Sequence, residues 1–84
     1  MDIFTLDKLT PGNSAHVKNI NAGGKLKRRL FDLGFINGTL VKALRKSPGG
    51  DPHAYFVRGT VIALRQEDAA KIELFSGGEE NGSD

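Results

Sequence analysis

The sequence predicts a small, mainly β domain that forms a partly open barrel of about five strands. Short segments of the 84-residue chain alternate between apolar and polar residues, as half-buried strands do. Clusters of glycine, proline, asparagine and aspartate separate these segments and predict tight turns. Helical periodicity is limited to one short segment, inserted after the first predicted strand, and to brief helical turns. Closure into a barrel would also protect the edges of such short strands.

The first part of the chain predicts a helical turn followed by a strand. Leu6 and Leu9 have the i, i+3 spacing that places both on one side of a helical turn. A Thr-Pro-Gly sequence then predicts the end of that turn. Residues 14–20 alternate, with Ala15 and Val17 on the inner face, and form the first predicted strand.

The next segment predicts a helix of about ten residues with a sharp end. Leu26, Leu30 and Leu33 recur at helical spacing and form one apolar face. Gly34 follows at the position where glycine adopts the left-handed conformation without a steric penalty. Phe35 then stands where the Schellman ending makes its hydrophobic contact with Leu30. The spacing therefore predicts both the helix and the geometry of its end.

The remainder of the chain predicts four more strands and a second helical turn. These elements are a strand at 39–46, an exposed hairpin tip at 47–52, strands at 53–58 and 60–65, a helical turn at 66–70 and a strand at 71–75. The residues expected to face inward on the middle strands are Val41, Ala43, Ile62 and Leu64. Gly59 predicts a bulge or a barrel corner. Among the aromatic residues, we expect Phe35 and Phe56 in the core and Phe31 and Tyr55 partly exposed.

Composition excludes several classes of site. The chain has no cysteine, which rules out disulfides, thiolate metal sites and a cysteine nucleophile. Its glycines do not match either phosphate-binding loop motif, and no serine has an activating neighbour. We therefore expect neither catalysis nor a bound cofactor. No apolar run approaches the roughly 20 residues of a membrane span, and the N-terminal residues do not resemble a signal peptide, so we expect a cytoplasmic protein.

The charge distribution predicts a basic body. The net charge is +2, and three of the ten acidic residues, Glu79, Glu80 and Asp84, lie in the last nine positions. We expect residues 1–75 to form a single domain and residues 76–84 to form a disordered polar tail. Without that tail the domain carries a net charge of +5. Such a body suits an acidic protein surface or a nucleic acid, although basic residues also simply solvate small domains.

Two histidines leave a weak metal hypothesis open. Asp51 and His53 stand two residues apart, but His16 is isolated, and a metal site needs several converging ligands. The alternative is a solvated turn aspartate beside a strand histidine. The sequence therefore predicts no metal ligands, and the polar tail offers only a loose acidic cluster.

Five short motifs together resemble the FeoA family. They are Leu6-x-x-Leu9-x-x-Gly12, Arg29-Leu-x-x-Leu-Gly34-x-x-x-Gly38-Thr39, Gly50-Asp-Pro52, Val57-Arg-Gly59 and Ile62-Ala-Leu-Arg65-x-x-x-Ala69. The resemblance covers about residues 5–75. The pattern is also similar to the C-terminal SH3-like domain of metal-dependent repressors of the diphtheria-toxin-repressor type. The DNA-binding and dimerisation domains of such repressors are absent here, which favours a free-standing FeoA-like domain.

The resemblance implies an SH3-like barrel and a role in bacterial ferrous iron uptake. It implies a small cytoplasmic accessory protein whose partner is the membrane permease FeoB, which carries a GTPase domain. The residues that we expect to contact the partner lie on the outer helix face and at the hairpin tip: Lys25, Arg28, Arg29, Pro48, Asp51 and His53. The alternatives are a generic SH3-like module that binds peptides or proteins and, less favoured, a nucleic-acid-binding domain.

Overall fold

The computed structural model describes residues 3–75 and shows a mainly β fold. Its elements in chain order are β1 (Ile3–Thr5), a 3-10 turn (Leu6–Lys8), β2 (Ser14–Ile20), α1 (Gly24–Leu33), β3 (Leu40–Lys46), β4 (His53–Val57), β5 (Thr60–Leu64), α2 (Gln66–Ala69) and β6 (Ile72–Phe75). The predicted elements after the first helical turn agree with these bounds to within one residue. Within residues 3–75, no helix is long and apolar enough to cross a membrane.

The strands form one antiparallel sheet in the order β1-β6-β2-β3-β4-β5. Within residues 3–75 the sheet does not close, because β1 and β5 each pair with a single neighbour. This confirms the prediction of a mainly β, partly open architecture. Two β-bulges bend the sheet, one between Val17 and Asn19 in β2 and one between Ala43 and Arg45 in β3.

Strand β1 is absent from the sequence-based prediction. Its three residues pair with the last strand, with Ile3 opposite Phe75 and Thr5 opposite Glu73. Three residues are too few to show an alternation, and the partner strand lies at the far end of the domain. The helix consequently follows the second strand of the fold, not the first. The predicted polar tail, 76–84, lies outside the described residues.

The core is continuous and lies on one face of the sheet. Its sixteen apolar members are Leu6, Leu9, Ala15, Val17, Ile20, Leu30, Phe35, Val41, Ala43, Tyr55, Val57, Ile62, Leu64, Ala69, Ile72 and Leu74. Helix α1 contributes Leu30 fully, while Leu26 and Leu33 are half-buried at the edge of this core. All the inward-facing residues predicted for the 3-10 turn, β2, β3 and β5 are buried.

Helix α1 ends in the predicted Schellman motif. The backbone N–H of Phe35 donates to the carbonyl oxygen of Leu30 at 3.1 Å, and that of Gly34 donates to Phe31 at 2.9 Å. Gly34 has a φ of 112°, which lies in the left-handed region that favours glycine. Phe35 is fully buried. The helix is therefore joined to the barrel by its C-terminal end.

The prediction for the two adjacent aromatic residues of β4 was wrong. Tyr55 is 1% exposed and belongs to the core, whereas Phe56 is 42% exposed on the outer face of the sheet. Tyr55 pairs with Ala43 on one side and Ile62 on the other, and both neighbours face inward. The short side chain of Ala43 leaves space for the phenol ring in the small core.

Gly59 forms neither a bulge nor a corner. Arg58 and Gly59 are the two central residues of a tight turn between β4 and β5, and their φ angles are 51° and 81°. Positive φ at both central positions is the type I′ geometry, which matches the twist of a hairpin. The pairing of β4 with β5 is continuous from Val57–Thr60 onwards.

Candidate functional site

The outer face of α1 is a basic surface opposite its apolar stripe. Lys25, Arg28 and Arg29 are exposed, because helical geometry directs them away from the side on which Leu30 packs into the core. Together they line an open depression with a volume of about 560 Å³. Its full lining is Gly24, Lys25, Arg28, Arg29, Asp32 and Leu33. The structure therefore places the three predicted helix residues around one depression.

This surface retains its positive charge. Residues 3–75 contain one ion pair, which lies on the 3-10 turn and joins Lys8 Nζ to Asp7 Oδ2 at 4.0 Å. The three cations of the α1 depression therefore make no salt bridge in the described part of the chain. Asp32 is the one acidic residue in the lining. An open basic surface of this kind favours contact with a carboxylate-bearing protein surface over enclosure of a small molecule.

The flank of α1 next to this depression presents an exposed aromatic ring. Phe31 is 44% exposed, and Lys27 Nζ lies 5.9 Å from the centroid of its ring. Phe31 also lines a cavity of about 80 Å³ against the β2 bulge. That volume is far below the volume of ordinary ligand pockets, so this cavity is too small to be a small-molecule site.

The hairpin tip holds two of its three predicted site residues at the surface. Pro48 and Asp51 are exposed, in agreement with the predicted exposed tip. Asp51 Oδ1 accepts a hydrogen bond of 2.6 Å from the backbone N–H of Gln66, the first residue of α2. This aspartate therefore caps a helix from a distant part of the chain. Neither residue lines the α1 depression, so the tip and the helix face are separate surfaces.

His53 lies inside the fold. His53 is the first residue of β4, and its side chain is only 4% exposed. The side chain therefore does not lie on the surface of the hairpin tip. It packs edge-on against Tyr55, with ring centroids 6.4 Å apart and an interplanar angle of 79°. Within residues 3–75, His53 Nδ1 and the Tyr55 hydroxyl oxygen are buried without a hydrogen-bond partner.

Burial is the main cause of the raised pKa of Tyr55. Burial, followed by the nearby carboxylates of Asp7 and Asp51, raises the pKa of Tyr55 to about 12. The neutral phenol is therefore retained throughout the physiological range. Among residues 3–75, no three histidine, aspartate or glutamate side chains are grouped so that they could hold a metal ion.

Sequence reasoning did not predict the exposed apolar side chains on the outer face of the sheet. Five large apolar side chains on the strands are exposed: Ile3, Leu40, Leu44, Phe56 and Val61. Phe56 and Val61 are direct cross-strand neighbours. The sequence contained a signal for the exposure of Phe56. A two-residue turn at Arg58 and Gly59 places Tyr55 opposite Ile62. Because Ile62 was expected to face inward, Tyr55 must also face inward and Phe56 outward.

Comparison with known proteins identifies the family. The family model of the FeoA domain matches residues 4–74. A fusion of Fe(2+) transport protein A with the Fe(2+) transporter FeoB, from Porphyromonas gingivalis, is 32% identical over 69 residues. That match covers 82% of this chain but only 8% of the fusion protein.

Solved structures agree with this result. The zinc complex of FeoA from Stenotrophomonas maltophilia, an SH3 domain protein, is 33% identical with a TM-score of 0.79, over 88% of this chain and 92% of that one. A manganese-dependent transcriptional repressor has a TM-score of 0.77 at 15% identity, over 86% of this chain and 40% of its own, and shows the fold alone. The fold is SH3-like, and the chain belongs to the FeoA family.

Proposed function

We propose that the chain is a non-enzymatic, cytoplasmic accessory protein of ferrous iron uptake that binds a FeoB-type permease and modulates its transport or GTPase activity. The observation that carries this proposal is the relative in which a FeoA-like segment and FeoB share one polypeptide. A covalent link keeps two domains at a high effective concentration. A separate chain achieves the same association only by binding its partner.

The basic α1 face supports the binding part of the proposal. Lys25, Arg28 and Arg29 are exposed, share one depression and form no ion pair within residues 3–75. An acidic patch on the partner would therefore gain charge-assisted contacts without first breaking contacts inside this domain. A standard interface buries about 800 Å² on each partner, which a domain of this size can provide from one face.

The direct test is calorimetric titration of this protein into the cytoplasmic part of the FeoB encoded in the same genome. Titrations without nucleotide, with a guanosine diphosphate and with a non-hydrolysable triphosphate analogue separate the states of the GTPase domain. We expect saturable binding with a dissociation constant of tens of micromolar or tighter in at least one state. Absence of binding in all three would contradict the proposal.

The modulating part requires a separate measurement. Addition of saturating amounts of this protein should change the rate of GTP hydrolysis by FeoB or the rate of ferrous ion uptake into vesicles that contain it. If binding is detected but neither rate changes, the protein is a structural component of the complex and the modulating role is wrong.

A further inference from the structure

The outer face of strands β3, β4 and β5 combines exposed apolar side chains with basic ones. Lys42, Phe56 and Val61 form one row across the three strands, because Lys42 pairs with Phe56 and Phe56 pairs with Val61. Leu40 precedes Lys42 by two residues and therefore lies on the same face. All four side chains are exposed, Phe56 by 42% and Val61 by 61%. We call this surface the outer β3–β5 face.

A second row of the outer β3–β5 face contains another cation. Arg45 pairs with Ala54, and Ala54 pairs with Ala63. Arg45 and Ala63 are exposed, and Ala54 is half-buried. Directly paired residues of an antiparallel ladder lie on the same side of the sheet, so the guanidinium of Arg45 belongs to this face.

The three strands contribute positive charge and no negative charge. Their sequences contain no aspartate and no glutamate. Neither Lys42 nor Arg45 forms an ion pair within residues 3–75. The acidic residue of the hairpin tip, Asp51, lies beyond the ends of β3 and β4, and its carboxylate accepts a hydrogen bond from the backbone N–H of Gln66. The two cations are therefore available to an anionic partner.

A second copy of this chain is a poor partner for this face. A two-fold symmetric contact uses the same patch on both copies. It would bring Lys42 and Arg45 of one copy against Lys42 and Arg45 of the other, and the three strands supply no carboxylate between them. Like charges opposite each other are destabilising.

The apolar side chains favour lipid over nucleic acid or a folded protein. Single-stranded nucleic acid needs aromatic rings for stacking, and Phe56 is the one aromatic ring among the residues of this face, whereas Leu40 and Val61 are aliphatic. Protein interfaces place anchoring side chains in pockets, and neither depression described above includes a residue of β3, β4 or β5. A fluid headgroup layer accepts aliphatic and aromatic side chains without a preformed pocket.

We propose that the outer β3–β5 face is a docking surface for a membrane that contains anionic lipids. Leu40, Phe56 and Val61 would enter the headgroup region, where apolar side chains leave water. The long stems of Lys42 and Arg45 would extend along the apolar surface and bring their charges to the lipid phosphates. This inference goes beyond the FeoB proposal and does not depend on it, because it concerns lipid and not the α1 face.

The first test is cosedimentation of this protein with vesicles that contain no other protein. One set contains phosphatidylcholine and phosphatidylglycerol in equal parts, and the other contains phosphatidylcholine alone. At low salt we expect the mixed vesicles to bind at least roughly fivefold more tightly, because their surface is negatively charged. Binding should weaken at high salt, where the charges are screened. Absence of binding to the mixed vesicles at low salt would overturn the proposal, whatever the result with FeoB.

Two charge-reversal variants distinguish this face from the net charge of the domain. Lys42→Glu combined with Arg45→Glu should lower the affinity for the mixed vesicles at least roughly tenfold. Arg28→Glu combined with Arg29→Glu makes the same change of net charge on α1, and its affinity for these vesicles should stay within about threefold of wild type. Equal losses in the two variants would show that only net charge matters and would overturn the assignment to this face.

A tryptophan probe tests whether the apolar side chains enter the lipid. The chain has no tryptophan, so Phe56→Trp introduces a single fluorophore at an exposed position of this face. Its emission should shift to shorter wavelength when the mixed vesicles are added. Phe31→Trp, at a residue of α1 that is 44% exposed, is the matched control and should show no shift. Vesicle binding without a shift for Phe56→Trp would overturn the proposed insertion.

Two further results would assign the face to another partner. Tighter binding of single-stranded DNA than of the mixed vesicles at the same salt concentration would indicate a nucleic acid. Self-association in sedimentation velocity that is abolished by Lys42→Glu combined with Arg45→Glu would indicate a second copy of the chain. Either result would overturn the proposal.

Discussion

The side chain of Arg58 lies over Gly34, where an added Cβ would come within 2.9 Å of Arg58 Cδ. Both residues have positive φ, 112° at Gly34 and 51° at Arg58. The end of α1 and the β4–β5 turn are therefore packed against each other at two special backbone positions. This contact joins the C-terminal end of α1 to the β4–β5 hairpin.

We predict that Gly34→Val destabilises the domain by about 2 to 3 kcal/mol, because a β-branched residue is strained in the left-handed region and its methyl groups would displace Arg58. Thermal unfolding should show a fall in Tm of roughly 10 °C or more for a domain of this size. The matched control is Gly49→Val, since nothing lies within 4 Å of a Cβ at Gly49. A Gly34→Val protein with the wild-type Tm would disprove the role of this helix ending.

We predict that the only tyrosine of the chain titrates abnormally. Tyr55 should ionise near its raised pKa of about 12 in the folded protein and near 10 once unfolded. Because the chain has one tyrosine and no tryptophan, the ultraviolet absorbance of phenolate reports this residue alone. A folded-state midpoint near 10 would show that the hydroxyl is hydrated.

The same shift predicts a loss of stability in strong base. The neutral phenol stabilises the fold fully below about pH 10, and this contribution is lost as the pH rises through the folded pKa. The loss should reach about 2 to 3 kcal/mol near pH 12. Tyr55→Phe should lack this component, and denaturant unfolding at pH 9 and pH 11 measures the difference between the two proteins.

We predict that Asp51→Ala costs about 1 kcal/mol of stability, because the backbone N–H of Gln66 loses its acceptor at the start of α2. Amide hydrogen exchange at Gln66 should accelerate. Exchange in β2 should change only as much as the fall in overall stability requires. Asp32→Ala is the control, since this exposed carboxylate lies near the C-terminal end of α1, where its removal is neutral or slightly stabilising. Equal losses of stability in the two variants would exclude a specific cap.

We predict that reversing the charge of the α1 face weakens FeoB binding. Arg28→Glu combined with Arg29→Glu should lower the affinity for FeoB at least roughly tenfold, because the attraction to an acidic partner surface becomes repulsion. The effect should be smaller at high salt, where charges are screened. Arg45→Glu combined with Lys46→Glu makes the same change of charge on β3 and should have a small effect. A loss confined to the β3 variant would instead assign the contact to the hairpin side of the domain.

Short-range signals account for the parts of the fold that could be predicted. The end of α1 depends on the spacing of Leu30, Gly34 and Phe35, all within one helical turn and its exit. The exposed tip around Pro48 and Asp51 follows from its turn-forming residues. The basic α1 face follows from helical periodicity alone, because residues three and four positions apart lie on the same side of a helix.

The orientation of β4 was recoverable in principle but required knowledge of how the strands pair. Both Tyr55 and Phe56 suit a strand, and period-two alternation does not say which of two aromatic neighbours faces the core. The two-residue turn at Arg58 and Gly59 sets the register, and the register places Tyr55 between Ala43 and Ile62. One register error exchanges every inward and outward side chain of a strand.

The sequence by itself determined the elements whose causes lie within a few residues: the helix and its ending, the exposed tip at 47–52, and the inward faces of β2, β3 and β5. Only the tertiary structure decided the rest, namely the pairing of Ile3 with Phe75, the cap that Asp51 provides to Gln66, and the burial of His53. These contacts join residues that are distant in the chain, and their stability comes from burying surface in one shared core. The position of β5 at the edge of the sheet formed by residues 3–75 has the same origin, because it depends on how strands that are distant in the chain pair with one another.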